Sequence, residues 1–309
     1  MKKRNTIITI VVLLVVVLVV YFSVSSSSDT PNSPDGDTAT STATSSDDAS
    51  TSSDDVTDED AVEAEVVIGS SVDGQDIVAY NFGTGDTHLL FVGGIHGGYS
   101  WNTSLLSYQL INHFQDNPDA IPENVSVTII PALNPDGLKA VTGVSGEFNA
   151  ADVSASQAVR VAARFNANNV DLNRNFACNW SETATWQSRS VNPGDGAFSE
   201  PEAQAMRNYI DANTPDAAVV FYSAAGSVYS SDCNGDVLAE TDDLMNTYAD
   251  ASVYSAKGLF TAYDINGDMV NWMASQDIPA ISVLLTDHSN AELSTNLAGV
   301  EAVLEMYAQ

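Results

Sequence analysis

Leu89 to Val92 is an unbroken apolar run that opens directly into Gly93-Gly-Ile-His96-Gly-Gly98, four glycines set around one histidine. A short apolar run of this kind reads as a buried strand. The glycines after it let the backbone turn sharply and approach another segment closely. A chain built this way folds around a central sheet that carries a site at the end of a strand. His96 is the first candidate for a metal ligand or catalyst in that site.

The remaining hydrophobic pattern agrees with such a sheet. Val66 to Gly69, Ile77 to Phe82, Val125 to Leu133, Ala217 to Tyr222 and Ala280 to Leu285 read as further strands, and Asn134-Pro-Asp-Gly137 reads as a turn. Thr103 to Phe114 has helical periodicity, and Ser199-Glu-Pro-Glu202 has the early proline and acidic first turn of a helix running to Asn213. Helices are also expected at Glu240 to Ala251, Gly267 to Ser275 and Glu292 to Tyr307. Alternation of strands and helices argues for an α/β domain with a central sheet and helices on both faces.

The front of the chain is of another kind. Thr6 to Val24 is almost entirely Ile, Val and Leu, long enough for a bilayer core, with Lys2, Lys3 and Arg4 before it. This predicts a transmembrane anchor over residues 1–24, with a cytoplasmic N-terminus and an extracytoplasmic remainder. A cleaved signal peptide is the alternative, with Ser23-Val-Ser25 as its weak cleavage site. Residues 25–62 are dominated by Ser, Thr, Asp and Ala and predict a disordered acidic linker, which leaves residues 63–309 as one folded domain.

Ten basic and 41 acidic residues give the chain a net charge of −31, and only four of its residues are lysines. Nucleic acid is excluded as a natural partner, and the bland consequence is a solvated acidic surface suited to saline surroundings. Against that background Arg164 and Arg174, flanking the asparagine-rich stretch Asn166-Ala-Asn-Asn169 and Asn173, form a candidate anion pocket, because guanidinium groups fork onto carboxylates. The bland alternative pairs both arginines with some of the many aspartates. Cys178 and Cys233 are the only cysteines, each in a polar loop on the side expected to face out, and a disulfide between them is expected.

Taken in order, the GGIHGG turn, Asn134-Pro-Asp-Gly137, Arg164-x-Asn-Ala, Val170-Asp-Leu-Asn-Arg-Asn-Phe176 and Phe198-Ser-Glu-Pro-Glu202 resemble the M14 family of zinc carboxypeptidases. The likeness is greatest to the bacterial branch that trims peptides, cell-wall peptides included, and runs from about Leu89 to the C-terminus. It implies that family's α/β fold, a mixed sheet between helices. It also implies one zinc held by His, Glu and His, a separate Glu as general base, and an Asn-Arg pair on the substrate's terminal carboxylate. Zinc would polarise the carbonyl and activate a bound water.

Position by position, the resemblance carries over only in part. His96 matches the first zinc ligand, but Tyr99 and Ser100 stand where the glutamate should follow, Tyr222 stands at the second histidine, and Leu284 stands at the general base. Asp136, Asp171, Asp287 and His288 are the nearest substitute ligands by motif. Asn173 and Arg174 match the carboxylate clamp, Arg164 resembles the arginine that polarises the carbonyl, and Val270 matches the floor of the side-chain pocket. The expectation is a membrane-tethered domain that binds peptide C-termini or cell-wall peptides with no catalytic residues and no cofactor. The alternatives are an active zinc enzyme with unconventional ligands and a structural or adhesive surface domain.

Overall fold

The computed structural model describes residues 64–309 except residue 236. The expected membrane anchor and linker lie outside the described residues. Among those described, no helix is long and apolar enough to cross a membrane.

Ten strands and seven α-helices make up the described chain. The strands are β1 (Glu65–Ser70), β2 (Asp76–Phe82), β3 (Thr87–Val92), β4 (Val125–Ile130), β5 (Ala184–Trp186), β6 (Arg189–Val191), β7 (Ala217–Ser223), β8 (Ser227–Ser230), β9 (Ser255–Leu259) and β10 (Ala280–Leu285). The helices are α1 (Trp101–Asp116), α2 (Pro135–Thr142), α3 (Gln157–Ala162), α4 (Pro201–Ala212), α5 (Ala239–Ser252), α6 (Met269–Ala274) and α7 (Leu293–Tyr307).

Eight strands form one mixed sheet in the order β1-β2-β4-β3-β7-β10-β8-β9. Its centre is parallel, β4-β3-β7-β10, while β2 and β8 join this block antiparallel. Strands β5 and β6 form a separate hairpin. The central strands are covered on both faces, which is why they read as continuous apolar runs rather than alternating ones. One face, with Phe91, Val219, Phe221 and Val283, packs with Leu106 and Phe114 of α1, Tyr248 of α5 and Val303 of α7. The other, with Leu90, Val92, Val220 and Tyr222, packs with Met206 of α4 and with Trp272 and Met273 of α6.

Several local expectations change. The strand expected over Val125 to Leu133 ends at Ile130, and Asn134-Pro-Asp-Gly137 starts helix α2 rather than making a free turn. The Asn134 side chain accepts from Gly137 N at 2.9 Å, and Pro135 sits where its missing N–H costs nothing. Helix α4 starts after Glu200 rather than Ser199, with no side-chain cap bond. The expected disulfide is present: Cys178 and Cys233 are bonded across a sequence separation of 55 residues.

Candidate functional site

The site forms where three neighbouring parallel strands, β3, β7 and β10, reach their carboxyl ends. This is where an open α/β sheet leaves room for a ligand. Strand β3 delivers His96 through the glycine turn. Gly97 has a φ of +38°, and a Cβ there would lie 2.8 Å from the Ala163 carbonyl oxygen and from Gly137 Cα. Glycine is thus required by both conformation and closeness. Strands β7 and β10 pair in parallel with Tyr222 opposite Leu284, so both side chains emerge on the same face. The segment 164–176, which includes a 3-10 turn at Leu172–Arg174, brings Arg164, Asn173 and Arg174 to the same place, with Asp171 bonded to Arg164.

His96, Arg164, Asn173, Arg174, Tyr222, Val270 and Leu284 line one cavity of about 540 Å³. Of the site residues read from the sequence, Ser100, the substitute ligands Asp136, Asp171, Asp287 and His288, and the two cysteines do not line it. The Ser100 hydroxyl is buried without a hydrogen-bond partner, and the residue does not line the cavity. Its neighbour Tyr99 turns toward the site instead, its ring 4.9 Å from Trp186 and 4.4 Å from His288.

Asp171 organises the polar floor. Its carboxylate accepts two bonds from Arg164, from Nε at 3.0 Å and Nη2 at 2.8 Å, and one from Asn173 N at 3.2 Å. His96 Nε2 lies 3.6 Å from Asp171 Oδ1, an ion-pair distance too long for a strong hydrogen bond. Burial alone would raise the Asp171 carboxyl, but Arg164, with His96 and Arg174, overrides it and holds the group far below the usual carboxylate range. Burial, then the Arg164 charge, pushes the His96 imidazole down to about 4, so the ring is neutral near pH 7. Neither ring nitrogen of His96 has a hydrogen-bond partner.

Arg174 is 1% exposed. It donates to the Thr185 carbonyl from Nε at 3.2 Å and Nη2 at 3.0 Å, and from Nη1 to the Asn173 carbonyl at 2.5 Å. Among the described residues no carboxylate lies within 4.0 Å of it. Each of its two terminal nitrogens makes one of these bonds and carries a further hydrogen, so donors remain for a ligand. Asn173 Oδ1 accepts from Tyr222 Oη and from Met269 N, both at 3.2 Å. Arg164 also lies over the Trp186 ring, 4.3 Å from its centroid.

The asparagine run serves the scaffold rather than the pocket. Asn166 donates to Glu200 and Glu202 and Asn168 to Glu200, while Asn175 holds Ser199 and the carbonyls of Pro193 and Gly196. Sequence reading missed three carboxylates on the cavity wall, Asp232, Asp264 and Asp268. Asp268 had a signal, since it lies two residues before Val270 in a segment already singled out.

The donor set does not fit the zinc that the resemblance implies. Of the substitute ligands, only Asp171 reaches His96, and it is already engaged by Arg164 and Asn173 N. Asp136 is held by Ser71 and Asp73 N, Asp287 by Ser289 and Asn290, and His288 by Ser223 Oγ at 2.8 Å. Tyr222 presents a phenol that burial, and then the Asp268 charge, raises well above its ordinary value, and Leu284 presents no donor. No group of three His, Cys, Asp or Glu able to hold a metal ion occurs among the described residues.

Comparison with known proteins places the chain. The family described as zinc carboxypeptidase matches residues 54–292. Bovine thrombin-activatable fibrinolysis inhibitor, solved with a tick carboxypeptidase inhibitor, superposes with a TM-score of 0.64 at 17% identity, over 79% of this chain and 89% of that one. The murein-tripeptide amidase of Escherichia coli O157 superposes with a TM-score of 0.54 at 19% identity, over 80% and 92%. A bacteriocin of Clostridium perfringens is 30% identical over 152 residues, 47% of this chain but only 15% of the bacteriocin. The structural likenesses, at these identities, speak to fold alone.

Proposed function

Because the chain belongs to the zinc carboxypeptidase family, we propose that its domain is a non-cleaving member that holds peptide C-termini, including those of cell-wall peptides. The proposal extends to the setting: residues 1–24 tether the domain to a membrane, with the binding face outside the cytoplasm. The observation that carries it is Arg174. A buried guanidinium without a carboxylate partner is costly, and an anionic ligand in the adjoining cavity would offset that cost. Asn173 beside it, and Arg164 above, complete a floor suited to a terminal carboxylate.

Cleavage has no comparable support. Peptide hydrolysis on this fold needs a group that polarises the carbonyl and a base that activates water. Leu284 occupies the base's place, and only His96 remains of the metal set. The unpartnered nitrogens of His96 favour the second reading, a metal enzyme with unconventional ligands, and one preparation tests both.

Calorimetry on the full chain with a short peptide, as free acid and as C-terminal amide, is expected to show saturable binding of the acid only. Arg174→Ala should weaken it about tenfold to a hundredfold, the worth of a charge-assisted hydrogen bond. Binding that ignores either change, or no binding, would refute the proposal. One zinc per chain with chelator-sensitive release of terminal residues would establish the second reading instead.

A further inference from the structure

A second cavity, of about 610 Å³, opens at the other end of the sheet, where β3 and β4 begin and α4 ends. Its size falls within the ~300–1,000 Å³ usual for small-molecule sites. The six residues of β3, about 20 Å of extended chain, lie between the two cavities. A ligand in one therefore leaves the other open.

The lining differs in kind from that of the first cavity. The chain holds 41 acidic residues, and three aspartates and two arginines line the first cavity. Among the fifteen described residues that line the second there is no Asp, Glu, Lys or Arg, and eight carry a side-chain hydroxyl or amide. Burial lowers the His88 imidazole and raises the Tyr209 phenol, so both rings are neutral near pH 7.

The polar groups are held in place. The buried Thr128 hydroxyl donates to Asn81 Oδ1 at 2.8 Å, accepts from Tyr209 Oη at 2.9 Å and lies 2.9 Å from His88 Nε2. The Tyr209 and His88 rings meet edge to face at 6.4 Å. With its hydrogen given to Thr128, Tyr209 Oη keeps lone pairs for an incoming hydroxyl. Asn208 accepts from Arg207 through Oδ1, at 3.3 and 3.0 Å, and its amide N–H groups bond to nothing among the described residues. Val66, Ile68 and Phe82 add apolar surface.

A charged ligand would lose its water here and gain no counter-charge. The matching ligand is uncharged, both gives and accepts hydrogen bonds, and has an apolar face to lay on aromatic rings. A sugar ring has these properties, with hydroxyls around its edge and C–H groups on its faces. We propose that the second cavity binds a neutral saccharide, as a free sugar or as a unit of a glycan chain. This goes beyond the reading of the first cavity and does not depend on it.

Calorimetric titration of the full chain tests it, in about 1 M salt, where screening over about 3 Å suppresses general attraction to the acidic surface. The neutral probes are glucose, N-acetylglucosamine and the linear trimer of each. The glucosamine trimer carries positive charge and triglucuronate negative charge. The expected result is saturable binding of a neutral trimer, about fivefold or more tighter than either charged trimer. Asn208→Ala and Tyr209→Phe should each weaken it about threefold to tenfold, the worth of one hydrogen bond. Asn208 is exposed on α4, where alanine is the better helix former, so that variant keeps the fold. A trimer that binds more tightly than its monomer supports a glycan chain, and equal affinities support a single sugar. Absence of saturable binding by every neutral probe, equal binding of the charged trimers, or an affinity unchanged in both variants would overturn the inference.

Discussion

His96 and Asp268 sit in one cavity and respond to acid in opposite senses. The His96 imidazole is lowered to about 4, so the folded state resists its protonation, and stability falls as pH drops from about 6.5 toward 4. The Asp268 carboxyl is raised to about 6, mainly by burial, so the folded state favours its protonation, and stability rises as pH drops from about 6 toward 4. Each contribution is about 3 kcal/mol in size, and the two largely offset each other. Asp171 adds nothing in this window, because its carboxyl ionises far below the usual range in the folded state and loses its contribution only in stronger acid. Asp268→Asn should therefore steepen the loss of stability between pH 6.5 and 4 by about 3 kcal/mol, read from urea unfolding curves across that range. Parallel pH profiles for parent and variant would contradict this. His96, Arg164, Asn173, Arg174, Tyr222, Val270 and Leu284 were legible in the sequence because each lies in a motif or at the end of an apolar strand. Asp232 and Asp264 were not, because only the folding of distant loops brings them to the wall.

At the scale of elements, strand ends and glycines decide where the site stands. The apolar runs of β3, β7 and β10 marked their own positions, since burial on both faces leaves no alternation to blur them. Strands β8 and β9 were missed for the opposite reason. Ser227–Ser230 is half serine, and Ser255–Leu259 is an exposed edge strand that needs little apolar content. Helix α2 was hidden because Asn-Pro-Asp-Gly is equally good turn chemistry, and what lies after it settles the matter. The turn after β3 is tightly constrained, packed against the Ala163 carbonyl oxygen and Gly137 of α2. Gly97→Ala should cost about 1–3 kcal/mol in urea unfolding and weaken ligand binding in step, because the strain displaces His96 and the floor together. An unchanged midpoint would show that the turn yields more easily than its contacts imply.

For the whole molecule, the fold is that of the zinc carboxypeptidase family, and strands β7 and β10 carry Tyr222 and Leu284 to its cavity. The guanidinium groups of Arg164 and Arg174 line that cavity together with Tyr222, whose phenol donates to Asn173 Oδ1, and Leu284, which offers no polar atom on its side chain. A family resemblance read from the glycine turn and the Asn-Arg pair thus predicted the architecture well, and individual side chains had to be consulted for the reaction. The acidic excess runs across the domain, and of its seven lysines and arginines two, Arg164 and Arg174, line the cavity.

The bond between Cys178 and Cys233 makes the middle of the chain a covalent ring with two tails. That ring includes α4, all of β7 with Tyr222, and β8, so it contains part of the cavity wall. A single protease cut anywhere inside it leaves the molecule in one piece. Limited digestion within residues 179–232 should therefore produce two fragments on a gel run with reductant and a single full-mass band without it. Two bands in both lanes would mean that the ring is open in solution.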